Sequence, residues 1–106
     1  MRVVLDNCVP RTFRRHIVGH AVETVGELGW VDTDDGPLLD LLAGRCDAFV
    51  TVDQNLPFQQ RLEHWPFATI VLVARSNRVA DLAPLAPGLH DALARAQPGE
   101  VLRVGV

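Results

Sequence analysis

Apolar, β-branched runs alternate along this chain with stretches whose apolar residues recur at helical spacing. The runs Val3 to Leu5, Ala21 to Val25, Ala48 to Val52, Thr69 to Val73 and Val101 to Val106 predict five strands. Three of them, VVL, AFVTV and TIVLV, lack alternation of apolar and polar positions, the pattern of strands covered on both faces in a parallel sheet. Between the first two, PRTFRRHI opens with Pro10 at the first helical position and sets Phe13 and Ile17 four apart, with Arg11, Arg14 and Arg15 elsewhere. That spacing predicts a short amphipathic helix.

After the second run, Gly26 and Gly29 interrupt the pattern, and an acidic turn from Asp32 to Asp35 leads to Leu38, Leu39, Leu41, Leu42 and Ala43. An aspartate cap, Pro37 in the first turn and Gly44 at the end delimit about two turns of helix. Asn55 to Trp65 predicts a loop and a short helix carrying Leu56, Phe58 and Leu62. Leu82, Leu85, Leu89, Leu93 and Ala96 predict a last helix from Asp81 to Gln97, bent by Pro84 and Pro87, with Gly99 just beyond it. Strands alternating with helices at these separations define the class as α/β: a mainly parallel five-stranded sheet flanked by helices and joined by right-handed crossovers. The 106 residues, 48% of them hydrophobic, suit a single domain over residues 1–106.

Composition narrows the chemistry. All ten basic residues are arginine, so the chain lacks the lysine that a phosphate-binding P-loop, a receiver domain or a Schiff-base enzyme requires. Cys8 and Cys46 stand alone, without the spacing of a disulfide framework or a zinc knuckle, and His16, His20, His64 and His90 show no HxxxH or HExxH pattern. The opening MRVVLDNCVP contains neither a signal-peptide core nor a membrane span, which predicts a cytoplasmic protein with no membrane partner. The net charge of −3 is unevenly spread: arginines dominate residues 1–19, carboxylates dominate residues 20–53, and the remainder is nearly balanced. A module that bound nucleic acid only by neutralising phosphates would be basic throughout. An acidic middle flanked by arginines suits a cation site that meets a polyanion.

Two strands end alike, VVL before Asp6 and FVTV before Asp53, so both carboxylates emerge at the carboxyl edge of the sheet, where ligands of such sheets sit. On neighbouring strands they would lie about 4.8 Å apart, close enough to share a hard cation. Asp35 of the acidic turn is the third candidate, with Asp34 and Asp40 as alternates. Each aspartate taken alone reads equally well as a helix cap. Asp47 falls at the opposite edge, and Glu23 and Glu27 read as solvated. Arg11, Arg14, Arg15, Arg75 and Arg78 are candidate phosphate contacts, with a solvated face as the competing reading. Ser76 and Asn77 read either as polar site residues or as turn formers. Cys8 lacks a partner that would activate it and reads as a buried thiol.

The segments MRVVLDNCVPRTFRRHIVGHAVETVGELGW, DDGPLLDLLA, FVTVDQNLPFQQ and IVLVARSNR together resemble the short bacterial PIN-like domains, related to the PIN nucleases of VapC-type toxins and to the PIN-like Mut-seven C-terminal group. The likeness spans nearly the whole chain. It implies a single PIN-like domain with Mg- or Mn-dependent cleavage of RNA, a small antitoxin as protein partner and a homodimer as the assembled form. Carried across, Asp6, Asp35 and Asp53 match the acidic positions that are both catalytic and metal-binding, and Asn55 stands near Asp53 where the family has a further acid. Asn7 replaces the acidic residue that many relatives carry after the first aspartate. Both asparagines lower the charge of the cluster, which keeps open an alternative: a catalytically weak PIN-like domain that binds RNA or a protein partner without cutting. A phosphatase with Asp6 as nucleophile is disfavoured, since Cys8 occupies the place of its second aspartate.

Overall fold

The computed structural model describes residues 1–105; Val106, placed by the sequence pattern in the last strand, lies outside the described residues. Five strands, β1 (Arg2–Leu5), β2 (Ala21–Thr24), β3 (Ala48–Thr51), β4 (Ala68–Val73) and β5 (Val101–Gly105), form one all-parallel sheet in the order β2-β1-β3-β4-β5. The fold is α/β. The register aligns Leu5 with Thr24 on one side and Val50 on the other, so β1, β2 and β3 end level with one another.

The unbroken apolar character of the central strands follows from cover on both faces. On one face Val3, Leu5, Val50, Ile70 and Leu72 pack beneath Phe13, Ile17, Leu82, Leu89 and Leu93. On the other, Val4 and Phe49 pack beneath Leu38, Leu39, Leu42, Leu56 and Leu62. The helices are α1 (Asp35–Ala43), α2 (Leu56–Gln59), α3 (Val79–Leu82) and α4 (Ala86–Arg95). Among the described residues, no helix is long and apolar enough to cross a membrane.

Three local expectations are corrected. The segment after β1 is a 3-10 helix, Arg11–His16, with Pro10 as its N-cap residue. Its bonds run from Phe13 N to Pro10 O and from Ile17 N to Arg14 O, and only Phe13 within it is fully buried, so little packing rewards a longer α-helix. Asp34 occupies the N-cap of α1, but its side chain caps nothing; the Asp34 carbonyl alone accepts from Leu38 N at 2.8 Å. The last helix is divided: a 3-10 turn, Ala83–Leu85, separates α3 from α4 in the stretch that holds Pro84 and Pro87. Gly99 has φ +85 in the turn into β5, and a Cβ there would lie 2.8 Å from the Glu63 carbonyl, so that turn requires glycine.

The four connections cannot all be right-handed. The β1–β2 connection steps toward the β2 edge with its 3-10 helix over the Leu5 face. The next two step the opposite way over the opposite face, which preserves the hand. The β4–β5 connection also steps that way, yet α3 and α4 lie on the Leu5 face, which reverses it. Given the strong preference for right-handed crossovers, the last one is the exception. Its physical reason is cover: the short 3-10 helix shields only part of the Leu5 face, and Leu82, Leu89 and Leu93 supply the rest.

Candidate functional site

The carboxyl edge of β1 and β3 is organised by the threonine that opens the T-x-D-x-N stretch, to which the sequence pattern assigns no role of its own. Thr51, the last residue of β3, is fully buried, and its Oγ1 donates to Asp6 Oδ2 at 2.7 Å while accepting from Asp53 N at 3.0 Å. Asp6 is fixed at its other end as well: its backbone N donates to Val50 O at 2.8 Å, and its Oδ1 accepts from Asn7 N at 2.8 Å. Asp53 Oδ1 accepts from Asn55 N at 2.9 Å, closing a turn in which Asn55 takes part through its backbone. Asp6 and Asp53 thus stand side by side.

Asp35, at the first turn of α1, reaches the same edge from the helix that crosses between β2 and β3. Burial, and then the negative charges of Asp6, Asp53 and Asp34, hold its carboxyl above the ordinary aspartate value. Asp35 therefore feels the other two aspartates, although among the described residues no three His, Cys, Asp or Glu side chains are gathered closely enough to hold a metal ion. The donors are all carboxylate oxygens, which is the set that hard divalent cations take. In chemistry the residues fit magnesium or manganese. Asp40 is exposed further along α1, and Asp47 lies before β3 at the far edge, where it accepts from Arg2 N at 2.7 Å.

Beside Asp6 opens a cleft of about 360 Å³ lined by Asp6, Asn7, Val9, Pro10, Arg11, Thr24, Gly26 and Glu27. It adjoins a second depression, of about 400 Å³, lined by Arg11, Thr12, Arg14, Arg15 and Glu27. Arg11 and Glu27 border both. Glu27 is placed by a reciprocal pair of bonds: Thr24 N donates to its Oε1 at 3.1 Å, and Glu27 N donates to Thr24 Oγ1 at 3.0 Å. Its carboxylate pairs with Arg14 at 2.6 Å, and that contact holds it below the ordinary glutamate value. Arg14 is thereby neutralised, whereas Arg11 and Arg15 enter no ion pair among the described residues. The sequence reading took Glu27 as merely solvated; the T-x-x-E spacing of Thr24 and Glu27, a capping-box pattern, was the signal available.

The loop after β4 is built mainly as a turn. The Ser76 hydroxyl donates to Asp81 and accepts from Arg78 N at 3.1 Å, while Arg78 pairs with Asp81 at 3.7 Å. Asn77 Nδ2 donates to Cys8 O at 3.0 Å and ties this loop to the one that follows Asp6. Arg75 lines a separate depression of about 330 Å³ with Val73, Ala74, Ala80, Asp81, Pro84, Leu85 and Gly105. Both cysteines are free thiols. Burial first, and then the Asp6 charge, raise Cys8; burial pushes Cys46 up to about 12, so neither is an activated nucleophile.

No family model, curated protein or solved structure matches this chain.

Proposed function

We propose that this chain is a PIN-like, metal-dependent endoribonuclease, the toxin half of a toxin–antitoxin pair acting in the cytoplasm. The observation that carries the reading is the Thr51 bridge, which ties the Asp6 carboxylate to the backbone of Asp53 across adjacent strand ends. They stand where strand order reverses around β1, the place at which ligands of such sheets bind. Asp6, Asp35 and Asp53 would hold Mg or Mn, with the Asn55 carbonyl as a further oxygen donor. Such an ion, when bound, supplies an activated water and positive charge for phosphodiester hydrolysis. Thr51 and Asn7 hold the Asp6 oxygens in place, and Arg11 and Arg15 orient the RNA backbone along the cleft. A small antitoxin and a second copy of the chain are the partners that this reading implies.

The test is cleavage of a structured RNA pool by purified protein with manganese, repeated with Asp53→Asn. Loss of cutting with thermal stability kept or raised is expected, because the substitution removes a ligand and relieves repulsion. No cutting by the wild type over several metals and RNAs would refute the enzyme. One observation favours the non-cleaving alternative: both Asp6 oxygens already accept hydrogen bonds from the protein. In that case RNA is bound and left whole.

A further inference from the structure

The four phenylalanines fall at two extremes. Phe13, Phe49 and Phe67 are fully buried, whereas Phe58 is 80% exposed, the most exposed large apolar side chain among the described residues. Its helix sets its direction. Leu56 anchors α2 in the core, and Phe58, two residues on, lies about 200° around the helix from it, so the ring faces solvent.

That helix is tied to the carboxylate edge. Leu56 N donates to Asp53 O at 3.3 Å, and Phe58 N and Gln59 N donate to Asn55 O at 2.9 and 3.1 Å, continuing the turn that Asp53 Oδ1 closes with Asn55 N. The two sides of the edge differ in chemistry. On the Leu5 face the Arg11–His16 helix is seated through Phe13 and brings Arg11 and Arg15, which enter no ion pair among the described residues. On the Val4 face α2 is seated through Leu56 and brings Phe58. A strand of RNA laid across the ends of β1 and β3 therefore meets guanidinium groups on one side and an aromatic face on the other.

We propose that Phe58 is the stacking platform for an unpaired base of the RNA, and that it restricts the substrate to single-stranded segments. Cationic groups that track the backbone and rings that stack on bases are the combination by which single strands are held. The exposed residues beside Phe58 in the sequence, Gln54, Asn55 and Gln59, are amides, whose donors and acceptors suit base edges. A docking surface for a protein would instead gather apolar neighbours around the ring. A base inside a duplex has both faces covered, so the platform takes only splayed bases. The inference deepens the RNA-cutting reading and rests on it for the course of the strand.

The experiment follows the anisotropy of a labelled, short, unstructured RNA with the full chain in EDTA, which withholds the metal and halts cutting. Phe58→Ala should weaken binding about 5- to 150-fold with the salt slope unchanged. Phe58→Leu, which keeps apolar bulk and loses the π face, should weaken it nearly as much, and Phe58→Trp should bind like the wild type. Blunt duplex RNA should not distinguish wild type from Phe58→Ala, and all three variants should keep the wild-type Tm because the ring is exposed. Equal single-strand affinity in wild type and Phe58→Ala, or full affinity in Phe58→Leu, would overturn the platform. So would a Phe58→Ala variant that dissociates a dimer in light scattering and leaves RNA affinity alone, since the ring would then serve a protein contact. Adding manganese judges the nuclease separately: binding that needs Phe58 without cutting keeps the platform and removes the enzyme, and cutting with an affinity indifferent to Phe58 does the reverse.

Discussion

The Thr51 hydroxyl donates to Asp6 at 2.7 Å and also accepts the Asp53 amide at 3.0 Å, so one buried side chain ties the Asp6 carboxylate to the backbone that carries Asp53. Thr51→Val keeps the shape and removes both bonds. It leaves the Asp53 N–H without its acceptor and should cost about 1–3 kcal/mol in urea unfolding. Thr51→Ser retains the hydroxyl and should cost about 1 kcal/mol, the worth of a buried methyl. Equal losses in the two variants would show that the methyl matters and the bridge does not.

Asp35 gives a pH signature. Its carboxyl is raised in the folded chain, so the unfolded chain gives up that proton first and ionisation penalises the fold. The penalty is absent below the unfolded value, grows as pH rises through the folded value, and is fully present above it. Asp35→Asn should therefore match the wild type in Tm at strongly acidic pH and exceed it at neutral pH. A Tm gap that narrows as pH rises would reverse the sign and remove the electrostatic link to Asp6 and Asp53.

The three arginines of the first helical segment should separate. Arg14 is bound to Glu27, whereas Arg11 and Arg15 line the depressions without an ion pair among the described residues. The double variant Arg11→Ala, Arg15→Ala should reduce the salt slope of single-stranded RNA binding by about 1.4, the value for two phosphate contacts. Arg14→Ala should change that slope much less. Identical slopes for wild type and the double variant would assign both arginines to a solvated face.

The thiols should be quiet. With Cys46 up to about 12 and Cys8 raised by burial, folded protein at pH 7.5 should alkylate slowly and label at both positions only after unfolding. Rapid labelling of Cys8 in the folded state, read by mass spectrometry, would contradict its placement against Asp6 and Thr51.

All five strands were legible as apolar, β-branched runs, three of them without alternation, and Asp6 and Asp53 were legible because each directly follows such a run. Thr51 was hidden for the same reason that it fits: threonine is an ordinary strand residue, and its partner lies 45 positions away, where no periodicity reaches. The Arg14–Glu27 pair was equally invisible, since it joins two elements whose proximity depends on the sheet order. Asp34 misled because residue type predicts a cap only when the side chain turns back on its own helix. The hand of the last connection could not be read because it records a contest between two ways of covering one face of the sheet.

That reversed connection bears on how the chain is made. Among the described residues β5 pairs with β4 alone, and α3 and α4 settle on a face to which the four preceding strands already contribute. A nascent chain arrested after residue 78 would carry every candidate carboxylate and every candidate arginine, yet leave Leu5, Val50, Ile70 and Leu72 under partial cover. Such an intermediate should recruit chaperones and be cut readily by protease, and release of the remaining residues should end both. If the arrested chain proved as protease-resistant as the finished one, the C-terminal segment would be a passenger and not the stopper that this topology makes it.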